Sequence, residues 1–223
     1  GNQQTGSTGG LFDTSDEFIQ PTGIYQKYFE LLQTLKSAFL QAKTLGSLIQ
    51  IDNLYLKNLF SLKSLLIEKL QGNDPAAKQA IFDLIPIVNQ AIVLSQQYDS
   101  VVANPPYMGS KGMNADLKLF AKKLFPLSKA DLFSIFMERA FGFLKDNGYN
   151  AQVNMQSWMF LSTYEKFRNW LLKEKSLVTM AHLGARAFGQ ISGEVVQTVA
   201  WIAKNSINLN YQPVFFRLVD GDE

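Results

Sequence analysis

An α/β fold, helices first and a sheet after them, is predicted by three features of the 223 residues. Up to about Gln97 the apolar residues recur at three- and four-residue steps, the period of helices buried on one side. Beyond it, short β-branched and aromatic runs alternate with helical stretches, the pattern of strands joined through helices. Between the two lies Tyr98–Ala103, an apolar run that ends in Asn104-Pro105-Pro106-Tyr107. Two consecutive prolines supply no ladder donor and cannot continue a helix, so a buried parallel strand should stop there in a stiff corner.

Gly1–Gly10 has no apolar residue to anchor it, and the segment 1–20 is expected to be disordered. Residues 21–97 form a helical connecting region. One amphipathic helix runs from Ile24 to Leu45 and is closed by Gly46; Ser47–Asp52 links it to a second, from about Leu54 to Leu70. The turn cluster Gly72-Asn73-Asp74-Pro75 precedes a third, roughly Ala76 to Gln97, kinked by Pro86.

After the corner, Met108–Asn114 reads as a small-residue loop and Ala115–Leu124 as a short basic helix ended by Pro126. Ser128-Lys129-Ala130-Asp131 resembles a capping box that opens an apolar helix, ended by Asp146-Asn147-Gly148. Tyr149–Met155 is the next strand. Ser162-Thr163-Tyr164-Glu165 is a second box before a helix to about Lys173, and Leu177–Leu183 follows as a strand, its His182 a packed residue. Glu194–Lys204 and Tyr211–Leu218 are expected as an antiparallel closing pair.

Composition narrows the chemistry. The chain has no cysteine and one histidine, which excludes disulfides and thiolate zinc sites and leaves no histidine cluster for a metal. Apolar runs are short and interrupted, so no membrane span is expected, and a cytoplasmic location is the default. The net charge of +2 carries no global nucleic-acid signature. Locally, Lys111, Lys118, Lys122, Lys123 and Lys129 stand against Asp116 alone, which suits either a solvated helix face or contact with phosphates, Lys111, Lys118 and Lys122 being the candidates.

The corner suits work on an exocyclic amine. The Asn104 carboxamide oxygen and the Pro105 carbonyl can each accept a hydrogen from one NH2 group, which aims the nitrogen lone pair at an electrophile. Pro106 stiffens the turn, and Tyr107 offers a ring for a planar base, worth about 1–3 kcal/mol in stacking. Open α/β sheets place ligands at the carboxyl ends of their strands, which is where this corner falls.

The ordered segments Asn104–Tyr107, Ser128–Tyr149, Gln156–Phe160 (QSWMF), Ser162–Leu171 and His182–Ile202 together resemble the catalytic half of an amino-directed DNA adenine-N6 methyltransferase. The resemblance is to the adenine methyltransferases of bacteriophage-exclusion systems and to restriction-linked enzymes of similar build. It implies a partial Rossmann-like, S-adenosylmethionine-dependent methyltransferase sheet over residues 98–223. It also implies Asn104 and Pro105 as holders of the adenine amine, with Tyr107 and Phe188 stacking on either side of a base flipped out of duplex DNA. Phe136 matches a position beside the adenine end of S-adenosylmethionine. The family's Gly-rich cofactor turn, of the type Asp-Pro-x-x-Gly-x-Gly, has no counterpart in the 223 residues. The expectation is therefore a fragment or degenerate product, inactive alone, whose partners are double-stranded DNA and the remainder of the methyltransferase polypeptide. Methylation of protein glutamine or RNA, and a non-catalytic DNA- or protein-binding module, are the alternatives.

Overall fold

The computed structural model describes residues 22–184 and 197–219. The segment expected to be disordered, Phe188 and the first residues of the strand expected from Glu194 lie outside them. The described residues divide into two compact units, one formed by residues 22–42 with Ile49–Ser95, the other by Lys43–Leu48 with those from Gln96 onward.

The first unit is helical: α1 (Ile24–Phe39), α3 (Leu56–Lys69) and α4 (Pro75–Ser95), with the short α2 (Ala42–Leu45) at its boundary. The single helix expected over Ile24–Leu45 is thus broken after Phe39. Leu31 and Leu35 of α1, Leu59, Leu62 and Leu66 of α3, and Leu84 and Val88 of α4 are buried. Two aspartates set the helix starts. Asp52 accepts from the Leu54 N–H at 2.9 Å, and Asp74 accepts from the Ala76 N–H at 2.9 Å. Pro75 then occupies the first helical position of α4, where no hydrogen bond is lost. Counter to the expectation that no run is long enough, α4 has the length and apolarity to cross a membrane, with a mean hydropathy of 1.3. Its buried face, Ile81, Leu84, Val88 and Ala91, packs with α3 and α1, and 28% of the apolar stretch is buried.

The second unit is an α/β sheet of the expected class. Its strands are β1 (Tyr98–Ala103), β2 (Leu144–Met155), β3 (Ser176–Gly184), β4 (Thr198–Lys204) and β5 (Val214–Arg217), in spatial order β1-β2-β4-β3-β5. β1 runs parallel to β2, connected through α5 (Ala115–Leu124) and α6 (Leu132–Gly142). The short α7 (Ser157–Phe160) and α8 (Glu165–Glu174) join β2 to β3. The last two strands do not form the antiparallel pair expected of them. β4 inserts between β2 and β3, antiparallel to both, and β5 lies parallel to β3 at the outer edge. Val199, Trp201 and Ala203 fit the insertion, because they are buried together on the helix-covered face, where a central strand lies under the core.

One face of the sheet carries the core: Phe133, Met137 and Phe141 of α6, Phe167 and Leu171 of α8, and Trp158, Val199 and Trp201 pack together. β2 meets this face with polar residues. Asn150, Gln152 and Asn154 are buried at alternate positions, and the Trp201 indole N–H donates to Asn154, whose amide donates to Gln152, which donates to Asn150. The Asn150 and Gln152 amides also donate to the carbonyls of Met137 and Phe136 on α6, at 3.2 and 3.3 Å. The other face is less covered. Val102, expected to be buried, is 80% exposed, because its side chain points away from α6.

Two expected helix signals serve other ends. Asp146-Asn147-Gly148 lies inside β2, which starts at Leu144, and not in a turn that ends α6. The β1–β2 register shifts there, Asn147 has φ 65°, and a Cβ on Gly148 would stand 2.9 Å from the Asp99 carbonyl oxygen, a spacing that only glycine permits. Similarly, Ser128 does not cap α6. The cap is Asp131, which accepts from the Phe133 N–H at 3.1 Å, while the Ser128 hydroxyl donates to Glu138 at 2.5 Å. No side chain caps the turn that leads into α8.

Candidate active site

Parallel pairing brings the carboxyl ends of β1 and β2 to one edge of the sheet, with Ala103 opposite Gln152. The same edge receives the start of β4 and the end of β3, since Thr198 pairs with both Met155 and Gly184. Asn104 follows β1 directly and is exposed at this edge, and α7 follows β2 there. Pro105 is buried and Pro106 exposed, so the first proline anchors the corner and the second faces solvent.

Tyr107 is half-buried. Its ring meets Phe133 edge-on at 5.9 Å, and its hydroxyl is buried with no hydrogen-bond partner, so burial pushes its pKa up. The phenol stays neutral, and the ring is fixed by packing more than by its polar end. Phe133 in turn lies 5.9 Å from Tyr164, whose pKa burial raises, with the Asp131 carboxylate adding to the shift.

Behind Tyr107 the chain is tied to the start of α6. The Met108 N–H donates to Asp131 Oδ1 at 3.0 Å, the Leu132 N–H donates to the Met108 carbonyl at 2.9 Å, and the Ser110 N–H donates to the Ala130 carbonyl at 3.0 Å. Asp131 is half-buried, and desolvation raises its pKa although three main-chain N–H groups pull the other way. The loop read as small-residue is fastened at its first three residues, and it buries Met113 further on.

Phe136 is partly exposed on α6, one turn beyond Phe133. Lys118 and Lys122 lie four residues apart on α5 and share a face; Lys122 is exposed, Lys118 partly so, and Lys111 is exposed in the loop before α5. Phe188 lies outside the described residues; Gly184 and Thr198, which flank its segment, lie at the same sheet edge as Asn104. Local sequence reading missed Asp131 as a link to the corner. The signal was an aspartate one residue before an apolar helix, which marks a cap but not a second, distant donor.

Two grooves lie elsewhere on this unit. One, of about 300 Å³, runs over the less covered sheet face along Val102, Ala151, Val153, Ile202 and Phe216. The other, of about 520 Å³, lies between α7, α8, β3 and β5 and is lined by Trp158, Phe160, Leu172, His182 and Phe215. Neither contains Asn104 or Tyr107.

Comparison with known proteins matches residues 38–188 to the model of the Eco57I restriction-modification methylase family. The chain is 56% identical over 222 residues to the adenine-specific methyltransferase BrxX of Escherichia coli O9:H4 (strain HS), covering all of this chain and 18% of that protein. It is 37% identical over 201 residues to the adenine-specific methyltransferase PglX of Lacticaseibacillus casei (strain Zhang), covering 86% of this chain and 16% of that one. Among solved structures, a nuclease-deletion mutant of the Type ISP restriction-modification enzyme LlaGI in complex with a DNA substrate mimic gives a TM-score of 0.45 at 18% identity, over 69% of this chain and 17% of that one. The chain thus spans less than a fifth of the length of these curated relatives. With two thirds of its residues inside one family model, the chain belongs to the Eco57I restriction-modification methylase family.

Proposed function

We propose that this chain is the amine-binding part of an S-adenosylmethionine-dependent DNA adenine-N6 methyltransferase that serves restriction-modification or phage defence. The observation that carries the reading is the exposed Asn104 on a proline-stiffened corner at the carboxyl end of β1, with Tyr107 beside it. The identity to adenine-specific methyltransferases supports it.

An adenine turned out of the duplex presents its NH2 group to two acceptors, the Asn104 carboxamide oxygen and the Pro105 carbonyl. Unstacking costs a few kcal/mol, which stacking on Tyr107 and the two hydrogen bonds offset. An aromatic amine is too weak an acid for a side chain to deprotonate at neutral pH, so the corner acts by orientation. S-adenosylmethionine, when bound, would supply a sulfonium methyl group as electrophile and leave as the neutral thioether, and the nitrogen that gains the methyl would give up one proton to solvent. Of the residues that would hold it, this chain offers Phe136, whose partly exposed ring suits an aromatic flank and whose carbonyl is fixed by Gln152. The Gly-rich cradle would come from the remainder of the polypeptide, and the 223 residues alone would be inactive.

The test is transfer of labelled methyl from S-adenosylmethionine by the full-length polypeptide to duplex DNA, with protein and RNA substrates in parallel. Label in N6-methyladenine is the expected result; label confined to protein or RNA, or absent from all three, overturns the reading.

We also propose that Lys111, Lys118 and Lys122 touch phosphates. Their joint replacement by alanine is expected to weaken binding to duplexes of any sequence and to flatten the salt dependence of log Kd by about one unit of slope per lysine. A slope equal to that of the unaltered protein would return these lysines to a solvated face.

A further inference from the structure

We propose that Asp131 is a positioning residue: its carboxylate fixes the segment after Tyr107 to the amino end of α6 and so holds the amine-binding corner in register with the sheet. The proposal rests on the function proposed above for its consequence in turnover, and on geometry alone for its effect on the loop.

An N-cap aspartate ordinarily satisfies orphan N–H groups of its own helix. Asp131 Oδ1 does this for Phe133 and, with the same oxygen, accepts from Met108, 23 residues earlier in the chain. The link is not isolated. Residues 108–110 and 130–132 form a short antiparallel clasp, through the Met108–Leu132 and Ser110–Ala130 hydrogen bonds and the Gly109–Asp131 bridge. The clasp is braced from behind, since the Ser134 hydroxyl lies 2.6 Å from the Ser128 carbonyl and 2.8 Å from the Asp131 carbonyl. Asn104 itself is exposed in a four-residue segment that leaves β1 at one end and enters this clasp at the other, with Pro105 buried and the Tyr107 ring packed on Phe133 between them. Loss of the carboxylate loosens the end of the segment that carries Tyr107 and so shifts Asn104 against the sheet.

Half-buried Asp131 is therefore placed where a helix cap alone would not need a second donor. The 2.9 Å and 3.0 Å main-chain hydrogen bonds close the clasp, but they need Met108 to be brought within reach, which the carboxylate does.

The experiment compares Asp131→Ala, Asp131→Ser and Asp131→Asn in the full-length polypeptide. Serine caps α6 but is one bond shorter, so it reaches the adjacent Phe133 N–H and not also Met108; asparagine retains an oxygen able to accept from both. The expected result is faster tryptic cleavage after Lys111, in the loop, for the alanine and serine variants. Their kcat is expected to fall about 10- to 100-fold with KM for DNA little changed, while the asparagine variant behaves as the unaltered protein in both measurements. Should the unaltered polypeptide prove not to methylate DNA, the cleavage comparison still decides the clasp. Cleavage at the unaltered rate in Asp131→Ser overturns the proposal, and so does a loss that asparagine does not repair or a loss of kcat with the loop still protected.

Discussion

Asn104→Ala in the full-length polypeptide is expected to lower kcat for adenine methylation on the order of 100-fold while duplex DNA binds as before. The reasoning follows from where the residue stands. Asn104 is exposed and belongs to no core, so its truncation leaves the sheet intact. What is lost is one of two acceptors that hold the amine's hydrogens. With one acceptor left, the amine is free to rotate about its remaining hydrogen bond, and the lone pair no longer points along a fixed line. An interaction that acts on orientation lowers kcat and kcat/KM together, whereas a residue that only adds to binding raises KM. Asn104→Asp discriminates further. It retains an acceptor oxygen at nearly the same place and adds a negative charge, so it is expected to retain more turnover than alanine. An alanine variant with unaltered kcat would remove Asn104 from the chemistry, and a rise in KM alone would make it a binding residue.

The parts of this fold legible in sequence were those that depend on a few neighbouring residues. Proline pairs dictate their own backbone, so the corner at Asn104–Tyr107 was readable from four letters, and helix periods located α3, α4 and α5 to within a few residues. Strand order was not legible, because it depends on which faces are covered. β4 reads like any edge strand until it is seen between β2 and β3, with Val199, Trp201 and Ala203 buried in the core on one face. Capping was half legible. Ser128 and Asp131 both have the chemistry of a cap, and Asp131 is the one because α6 starts at Leu132, while the Ser128 hydroxyl donates to Glu138. The site was legible as chemistry and not as support: nothing local says that Met108 and Asp131, 23 residues apart, share a hydrogen bond. β2 runs against the ordinary rule, for Asn150, Gln152 and Asn154 alternate with Ala151 and Val153. Alternation normally puts the amides in water and the apolar residues inside; here the amides are buried and the aliphatic residues face outward.

That inversion predicts the largest loss of stability. Trp201 is 2% exposed, stands 6.0 Å from Trp158 edge-on, and donates its indole N–H into the row of buried amides. Trp201→Ala removes the ring, at about 3–5 kcal/mol for a buried tryptophan, and leaves Asn154 Oδ1 without its donor, at about 1–3 kcal/mol more. Against the 5–15 kcal/mol that hold a domain of this size, such a loss approaches unfolding of the sheet, and the variant is expected in the insoluble fraction. Trp201→Phe keeps most of the packing and removes the donor. It retains an aromatic ring for Trp158 but loses the N–H together with part of the indole, so the sheet should fold with amide hydrogen exchange in β2 and β4 accelerated by at least about 5- to 150-fold, the equivalent of 1–3 kcal/mol for the unpaired Asn154 oxygen. The effect should extend along the row: with Asn154 released, Gln152 and Asn150 lose a fixed partner, and their hydrogen bonds to the Phe136 and Met137 carbonyls hold α6 less firmly. Faster exchange in α6 as well as in β2 and β4 is therefore expected of Trp201→Phe. Exchange unchanged in all three elements would mean that the indole N–H contributes nothing, and that the row of amides is held by α6 alone.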